Sequence, residues 1–282
     1  MLSTENIYKL STQMRRDIIR MIHAVQSGHP GGSLGCADFL ATMYSNVLNY
    51  NPKNFSMSGK DEDVFFLSNG HISAAWYSIL ARSGFFPVSE LGTFRKLGSR
   101  LQGHPTTAEN LPGIRIASGS LGQGLSAAIG CAIGKKLSND KHFVFTLLGD
   151  GELQEGQVWE AALFANAKNI DNLIAVVDYN GKQIDGPVDE VITLGDLAAK
   201  WKSFGWNVFE MDGHNPQEIE DTIQKAKAES KAKNKPSLII MKTIMGKGVS
   251  FMENNHKWHG SPTNEEQFKI ALSELKETLG DY

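Results

Sequence analysis

Two acidic segments and a set of glycine-flanked histidines are where this 282-residue sequence could do chemistry. Gly149-Asp150-Gly151-Glu152 follows one apolar run, and Asp178-Tyr179-Asn180-Gly181-Lys182 follows another. A carboxylate between glycines at the end of a buried strand can meet a ligand, because the backbone there is unobstructed. Alone, Gly-Asp-Gly reads as a tight strand-to-helix turn. Asn180, 30 residues after Asp150, changes that reading. Neighbouring strands that end in Asp and Asn present hard oxygen donors side by side. Such a pair suits Mg²⁺ or Ca²⁺, with diphosphate or water filling the remaining positions.

Of eight histidines, four directly follow glycine: His29, His71, His104 and His214. Chance composition would give roughly one such pair. Imidazoles in glycine-rich loops are poor core residues but good proton carriers near neutral pH. A single Gly-His reads as structural; a set of them reads as a site. His214, within Asp212-Gly213-His214, reads best as a strand-to-helix turn, and His23 and His142 read as surface residues. Gly246-Lys247-Gly248 lacks the upstream glycine and the Ser/Thr of a P-loop. Its place after a strand end leaves contact with a diphosphate open.

The elements that must position these groups follow from hydrophobic periodicity. Residues 4–27 put Ile7, Leu10, Met14, Ile18, Met21, Ile22 and Val25 on one helical face, and residues 28–32 stop that helix. A second helix runs through Phe39, Leu40 and Met43. Buried strands are expected at 64–67, 143–148, 173–177, 206–211 and 238–241. A helix follows the first strand and ends near Gly84. Further helices lie at roughly 153–168, 195–203 and 216–232, with a last one from about 263. This alternation argues for an α/β fold: a doubly wound, mainly parallel sheet with helices on both faces, formed by residues 1–282 as a single domain. Ligands in such sheets bind beyond the carboxyl ends of the strands, where both acidic segments fall. A charge of −3 gives no electrostatic case for nucleic acid. Two distant cysteines exclude a disulfide framework, and no apolar run is long enough for a membrane span. The polar, acid-containing N-terminus does not resemble a targeting peptide, so the cytoplasm is the expected location.

Together these segments resemble transketolase. Gly149-Asp150-Gly151 followed by Asn180 resembles the metal signature of thiamine-diphosphate enzymes, with Tyr179 where the family often has a first asparagine. Ser27-Gly28-His29-Pro30-Gly31, Ser68-Asn69-Gly70-His71, Gly103-His104-Pro105 and His259-Gly260-Ser261-Pro262 look like transketolase segments in transketolase order. The resemblance implies a thiamine-diphosphate-binding fold of the diphosphate-binding type. It implies that Asp150, Asn180 and the Lys182 carbonyl hold Mg²⁺ (or Ca²⁺), which grips the diphosphate. His29 and His104 would contact the donor sugar, while His71 and His259 approach cofactor and substrate. Gly119-Ser120-Leu121-Gly122-Gln123-Gly124 is similar to the family segment that touches the cofactor rings. Gly119, Ser120 and Leu121, with Gly151 and Glu152, join the implied cofactor contacts. Glu155 resembles the glutamate that communicates between paired active sites; a solvated helix-start glutamate is the plainer reading.

In the family the glutamate facing the aminopyrimidine ring lies on a second, pyrimidine-binding domain, which this sequence lacks. The expectation is therefore one subunit of a split transketolase, acting on sugar phosphates such as xylulose 5-phosphate with a C-terminal partner subunit in an α2β2 assembly. The Met1 start and the closing Leu279-Gly280 favour that over a truncation. The alternatives are half of another thiamine-dependent enzyme, of the 1-deoxyxylulose-5-phosphate synthase or 2-oxo-acid dehydrogenase alpha type, or an idle transketolase-like binding partner.

Overall fold

A computed structural model describes all residues, 1–282. Five strands form one parallel sheet: β1 (Val64–Leu67), β2 (Val144–Gly149), β3 (Leu173–Tyr179), β6 (Asn207–Asp212) and β7 (Ser237–Lys242), in the order β1-β2-β3-β7-β6. Two-residue strands β4 (Lys182–Gln183) and β5 (Gly186–Pro187) make a separate small hairpin. Residues 64–67, 144–148 and 173–178 are buried throughout, as strands covered on both faces must be.

The chain steps one way from β1 through β2 and β3 to the far edge at β6, then steps back to β7. Parallel crossovers are right-handed, so the step back sends its helix to the opposite face. Accordingly α5 (Gly124–Leu137), α6 (Gly156–Ala167) and α8 (Leu197–Ser203) cover one face, with Trp159 of α6 against Trp201 of α8 at 5.4 Å between ring centroids. On the other lie α9 (Pro216–Lys233), α1 (Thr4–Val25), α3 (Ala37–Thr42) and α4 (Ser73–Arg82). α10 (Glu265–Glu274) packs on α1. The chain leaving β3 and the chain leaving β7 thus diverge, and a crevice opens between their carboxyl ends.

Local signals account for most boundaries. Ser3 caps α1 by accepting from Asn6 N–H, and Gln26 closes the helix in the left-handed conformation at φ 49°. The expected helix therefore ends two residues early. Residues 28–32, expected only as a stop, run into a buried helix of their own, α2 (Pro30–Gly35), with Pro30 in its first turn. Glycine makes this helix fit. A Cβ on Gly31 would lie 2.7 Å from Met245 Cγ, and one on Gly35 would lie 3.0 Å from the Ile244 carbonyl oxygen. The hairpin and α7 (Val188–Ile192) lie where no element is expected, because strands of two residues carry no periodic signal. No helix is long and apolar enough to cross a membrane.

Candidate functional site

Strand register sets the floor of the site. Gly149 pairs with Asp178, so Asp150 comes level with the segment that ends in Asn180. Asp150 is 2% exposed and accepts from Gly151 N–H at 2.7 Å and Gly181 N–H at 2.6 Å. Beside it, Asp178 is also buried and accepts from the hydroxyl of Thr243, just past β7, and from Asn180 Nδ2 at 2.9 Å. No lysine or arginine pairs with either carboxylate. Burial first, and the neighbouring Asp178 charge second, push the Asp150 carboxyl up to about 7. The floor thus holds two buried acids with no lysine or arginine to balance them, flanked by the Asn180 oxygen. A divalent cation fits that deficit and that oxygen chemistry. No three His, Cys, Asp or Glu side chains converge to hold a metal unaided. Amide, carbonyl and ligand oxygens would have to complete the shell.

Four loops raise the walls. His29 opens α2 directly after Gly28, whose φ of 149° favours glycine. His71 sits in a single 3₁₀ turn between β1 and α4, and the preceding Gly70 has no room for a Cβ against Ser118 Oγ at 2.4 Å. His104 lies against Gly119, where a Cβ would approach the ring to 2.8 Å. His259 follows a 3₁₀ turn over residues 256–258. The rings converge: His29 lies 5.2 Å from His71, 6.0 Å from His104 and 5.5 Å from His259, with His71 and His259 5.0 Å apart. Burial is the first cause holding all four below the usual imidazole range. His29 is lowered to about 4, with His259, Arg95 and His104 as further causes, and His71 falls well below its ordinary value. His104 and His259 are lowered too. The cluster is therefore neutral at neutral pH, each ring keeping one donor and one acceptor nitrogen. The Nδ1 atoms of His29 and His259, and Oδ1 of Asn69, are buried without a protein partner.

Floor and walls enclose a cavity of about 400 Å³. His29, His71, His104, His259, Gly119, Leu121, Asp150, Gly151, Glu152, Glu155, Asn180 and Lys182 all line it. Ser120 does not: its side chain is exposed, between Gly119 and Gly122, whose positive φ values turn the loop. Lys247 is not among the lining residues either, although neighbouring Met245 is. Glu152 spends both its oxygens on the fold, accepting from Ser68 Oγ, Gly122 N–H at 2.9 Å and Gly149 N–H at 3.0 Å. His23, His142 and His214 lie outside the cavity. His23 is half-buried and stacks on Phe268 at 3.9 Å, because α10 folds over it. His142 is tied to Asp140 at 2.7 Å. His214 does more than turn the chain: Nδ1 donates to Asp38 at 2.9 Å, while Nε2 accepts from Ile244 N–H at 2.9 Å. Asn69, Gln183, Ile184 and Asp185 also line the cavity and were not singled out in sequence. Asn69 could have been found from its place at the end of β1; the hairpin residues carry no signal of their own.

The sequence matches the family described as transketolase, thiamine diphosphate binding domain, over residues 9–280. It is 40% identical over 263 residues to a 6-deoxy-6-sulfo-D-fructose transketolase subunit from a Clostridium species, covering 93% of this chain and 94% of that one. It is 35% identical over 278 residues to an apulose-4-phosphate transketolase subunit from Phocaeicola vulgatus, covering 99% and 96%. The crystal structure of transketolase from Campylobacter jejuni superposes with a TM-score of 0.89 at 33% identity, over 97% of this chain but 43% of that longer one. The chain belongs to the transketolase family, as its thiamine diphosphate binding domain.

Proposed function

We propose that this chain is the cofactor-anchoring subunit of a split transketolase, transferring a two-carbon ketol unit from a ketose phosphate to an aldose phosphate. The observation that carries this is the convergence of four neutral imidazoles above the uncompensated Asp150–Asp178 floor. In this reading Asp150, Asn180 Oδ1 and the Lys182 carbonyl would hold Mg²⁺ or Ca²⁺, which would supply the positive charge for a diphosphate. Thiamine diphosphate, when bound, supplies the electron sink for carbon–carbon cleavage. The protein's part is to bind, orient and move protons. The buried, unpartnered Nδ1 atoms of His29 and His259 are available to hydroxyls of a sugar. With His71 and His104 they form a set that takes or returns a proton without first shedding one, because the rings are neutral.

A second subunit bearing a pyrimidine-binding domain completes the site. Ile184 and Ile192 are 63% and 60% exposed beside the cavity mouth, apolar surface that such a subunit would cover. Exposed Glu155 on the rim suits communication between paired sites in an α2β2 assembly working in the cytoplasm. The relatives named as transketolase subunits support a two-chain enzyme, and their names cite different ketoses. The test mixes the purified chain with its partner, Mg²⁺ and thiamine diphosphate. Transfer to ribose 5-phosphate is then followed from xylulose 5-phosphate, 6-deoxy-6-sulfofructose and apulose 4-phosphate. Activity with at least one ketose, in the mixture only, is expected. Activity of the isolated chain would defeat the split reading, and silence with every ketose would favour an idle binding role.

A further inference from the structure

The chain has seven arginines, and six of them pair with carboxylates. Arg95 is the exception. Its backbone is left-handed at φ 56°, a conformation costly for a non-glycine residue. Its N–H donates to the Leu101 carbonyl at 2.8 Å, which closes a local loop. Nη1 donates to Ser27 Oγ at 2.9 Å and Nη2 to the Gly103 carbonyl at 3.1 Å, while Nε is buried without a partner. Ser27 stands two residues before His29, and Gly103 immediately precedes His104. Gly103 must be glycine for this contact, since a Cβ there would lie 2.7 Å from the guanidinium carbon.

We propose that Arg95 is a positioning residue: one guanidinium ties the turn carrying His29 to the turn carrying His104 and so sets the gap between their imidazoles. A planar, rigid fork can hold two acceptors at a fixed spacing; a lysine ammonium on a flexible stem cannot. The two acceptors belong to separate loops about 75 residues apart in sequence, and their histidine rings sit 6.0 Å from each other. The guanidinium charge, left free of any carboxylate, also opposes a second positive charge close by. His29 faces His71, His104, His259 and Arg95, and His104 faces Arg95; burial first holds both rings low, followed by His259, this cation and His104 at His29 and by this cation at His104. The one carboxylate acting on the cluster is Asp185, beside His259.

The bearing of Arg95 on turnover rests on the proposed transfer reaction, whereas its bearing on the imidazoles does not. The experiment therefore has two readouts on Arg95→Met and Arg95→Lys. Histidine ring signals of the isolated chain are titrated by nuclear magnetic resonance, and the partner-assembled enzyme is assayed. Arg95→Met is expected to raise the His29 and His104 midpoints by roughly half a pH unit or more, the effect of losing one charge several ångströms away. Its kcat should fall by about tenfold or more through lost orientation. Arg95→Lys should keep the low midpoints yet recover only part of kcat. A folded Arg95→Met chain with wild-type midpoints overturns the inference, as does Arg95→Lys with wild-type kcat. If Arg95→Met fails to fold, Arg95→Lys alone decides through kcat. If the midpoints shift as expected but the wild-type assembly turns over no ketose, the electrostatic hold of Arg95 on the two imidazoles stands and the proposed reaction falls.

Discussion

Asp178 fixes which way Asn180 faces. The Asn180 amide nitrogen donates to the Asp178 carboxylate at 2.9 Å, which commits Oδ1 to the opposite side, where it accepts from Lys182 N–H at 2.9 Å. Asp178 is held in turn by the Thr243 hydroxyl from the end of β7. Two strand ends therefore cooperate to present one amide oxygen beside Asp150.

From this follows a prediction about a residue outside the expected ligand set. If Asn180 Oδ1 binds the cation, Asp178→Ala should free the amide to rotate and lower Mg²⁺-dependent thiamine diphosphate affinity by about 10–100-fold, as loss of an orienting neighbour typically does. Asp150→Ala, which removes a ligand, should abolish it. Calorimetric titration of the partner-assembled protein reads both. Wild-type affinity in Asp178→Ala would mean that Asn180 needs no such support.

The small residues of α5 do not share one purpose. A Cβ on Gly124 would lie 2.3 Å from Ser68 Cβ and 2.7 Å from Ser68 Cα, so the helix start and the end of β1 touch through that glycine. Gly130 and Gly134, on the same helix, have nothing within 4 Å. Gly124→Ala should therefore destabilise the chain by about 1–3 kcal/mol through overpacking. Gly130→Ala and Gly134→Ala should be neutral or stabilising by up to about 1 kcal/mol, through helix propensity. Urea denaturation of the three variants ranks them. Equal effects would show that the close approach at Ser68 relaxes without cost.

Glu152 is the clamp of the floor. Its two oxygens take one hydroxyl and two backbone N–H groups from three separate segments, at Ser68, Gly122 and Gly149. Glu152→Gln keeps the shape but turns one acceptor into a donor facing a backbone N–H. The expected cost is about 1–3 kcal/mol for the buried group left unsatisfied. Thermal or urea unfolding of the isolated chain measures it, and an unchanged midpoint would show that the amide finds other partners.

Much of this was legible in the residues, for identifiable reasons. The strands announce themselves because sheets covered on both faces need unbroken apolar runs such as Leu173–Val177. Asp150 and Asn180 stood out because they follow strand ends, and His29, His71 and His104 because they follow glycines, where side chains are poorly suited to cores. His259 stood out only through the resemblance of its segment to the family. What stayed hidden depends on contacts distant in sequence. Nothing near Arg95 says that its guanidinium reaches Ser27 and Gly103. Nothing near Gly31 and Gly35 says that Met245 will press on the one and Ile244 on the other, and make a helix of an expected stop. The hairpin from Lys182 is too short for periodicity, yet it supplies Gln183, Ile184 and Asp185 to the cavity.

The last prediction concerns acid. His29 is lowered from its ordinary value to about 4, and burial lowers His71 well below it. Between the unfolded value near 6.5 and the folded value, the unfolded chain binds more protons at these rings than the folded chain. The contribution of His29 to stability is therefore present in full above about 6.5 and is lost as pH falls toward about 4, and that of His71 is lost in the same direction. Asp150 acts in the opposite sense. Its carboxyl, pushed up to about 7, takes a proton more readily folded than unfolded, so its contribution rises as pH falls through 7. Buried Asp178 and Glu152, also raised, act in the same direction as Asp150. The slope of the wild-type curve alone cannot separate these effects, but a difference can. Unfolding free energies of wild type and His29→Asn, measured by urea titration from pH 7.5 to pH 4, should converge as pH falls through the window from about 6.5 to about 4, with the variant losing less stability on acidification. Parallel curves across that window would mean that His29 takes up its proton in the folded chain as easily as in the unfolded one.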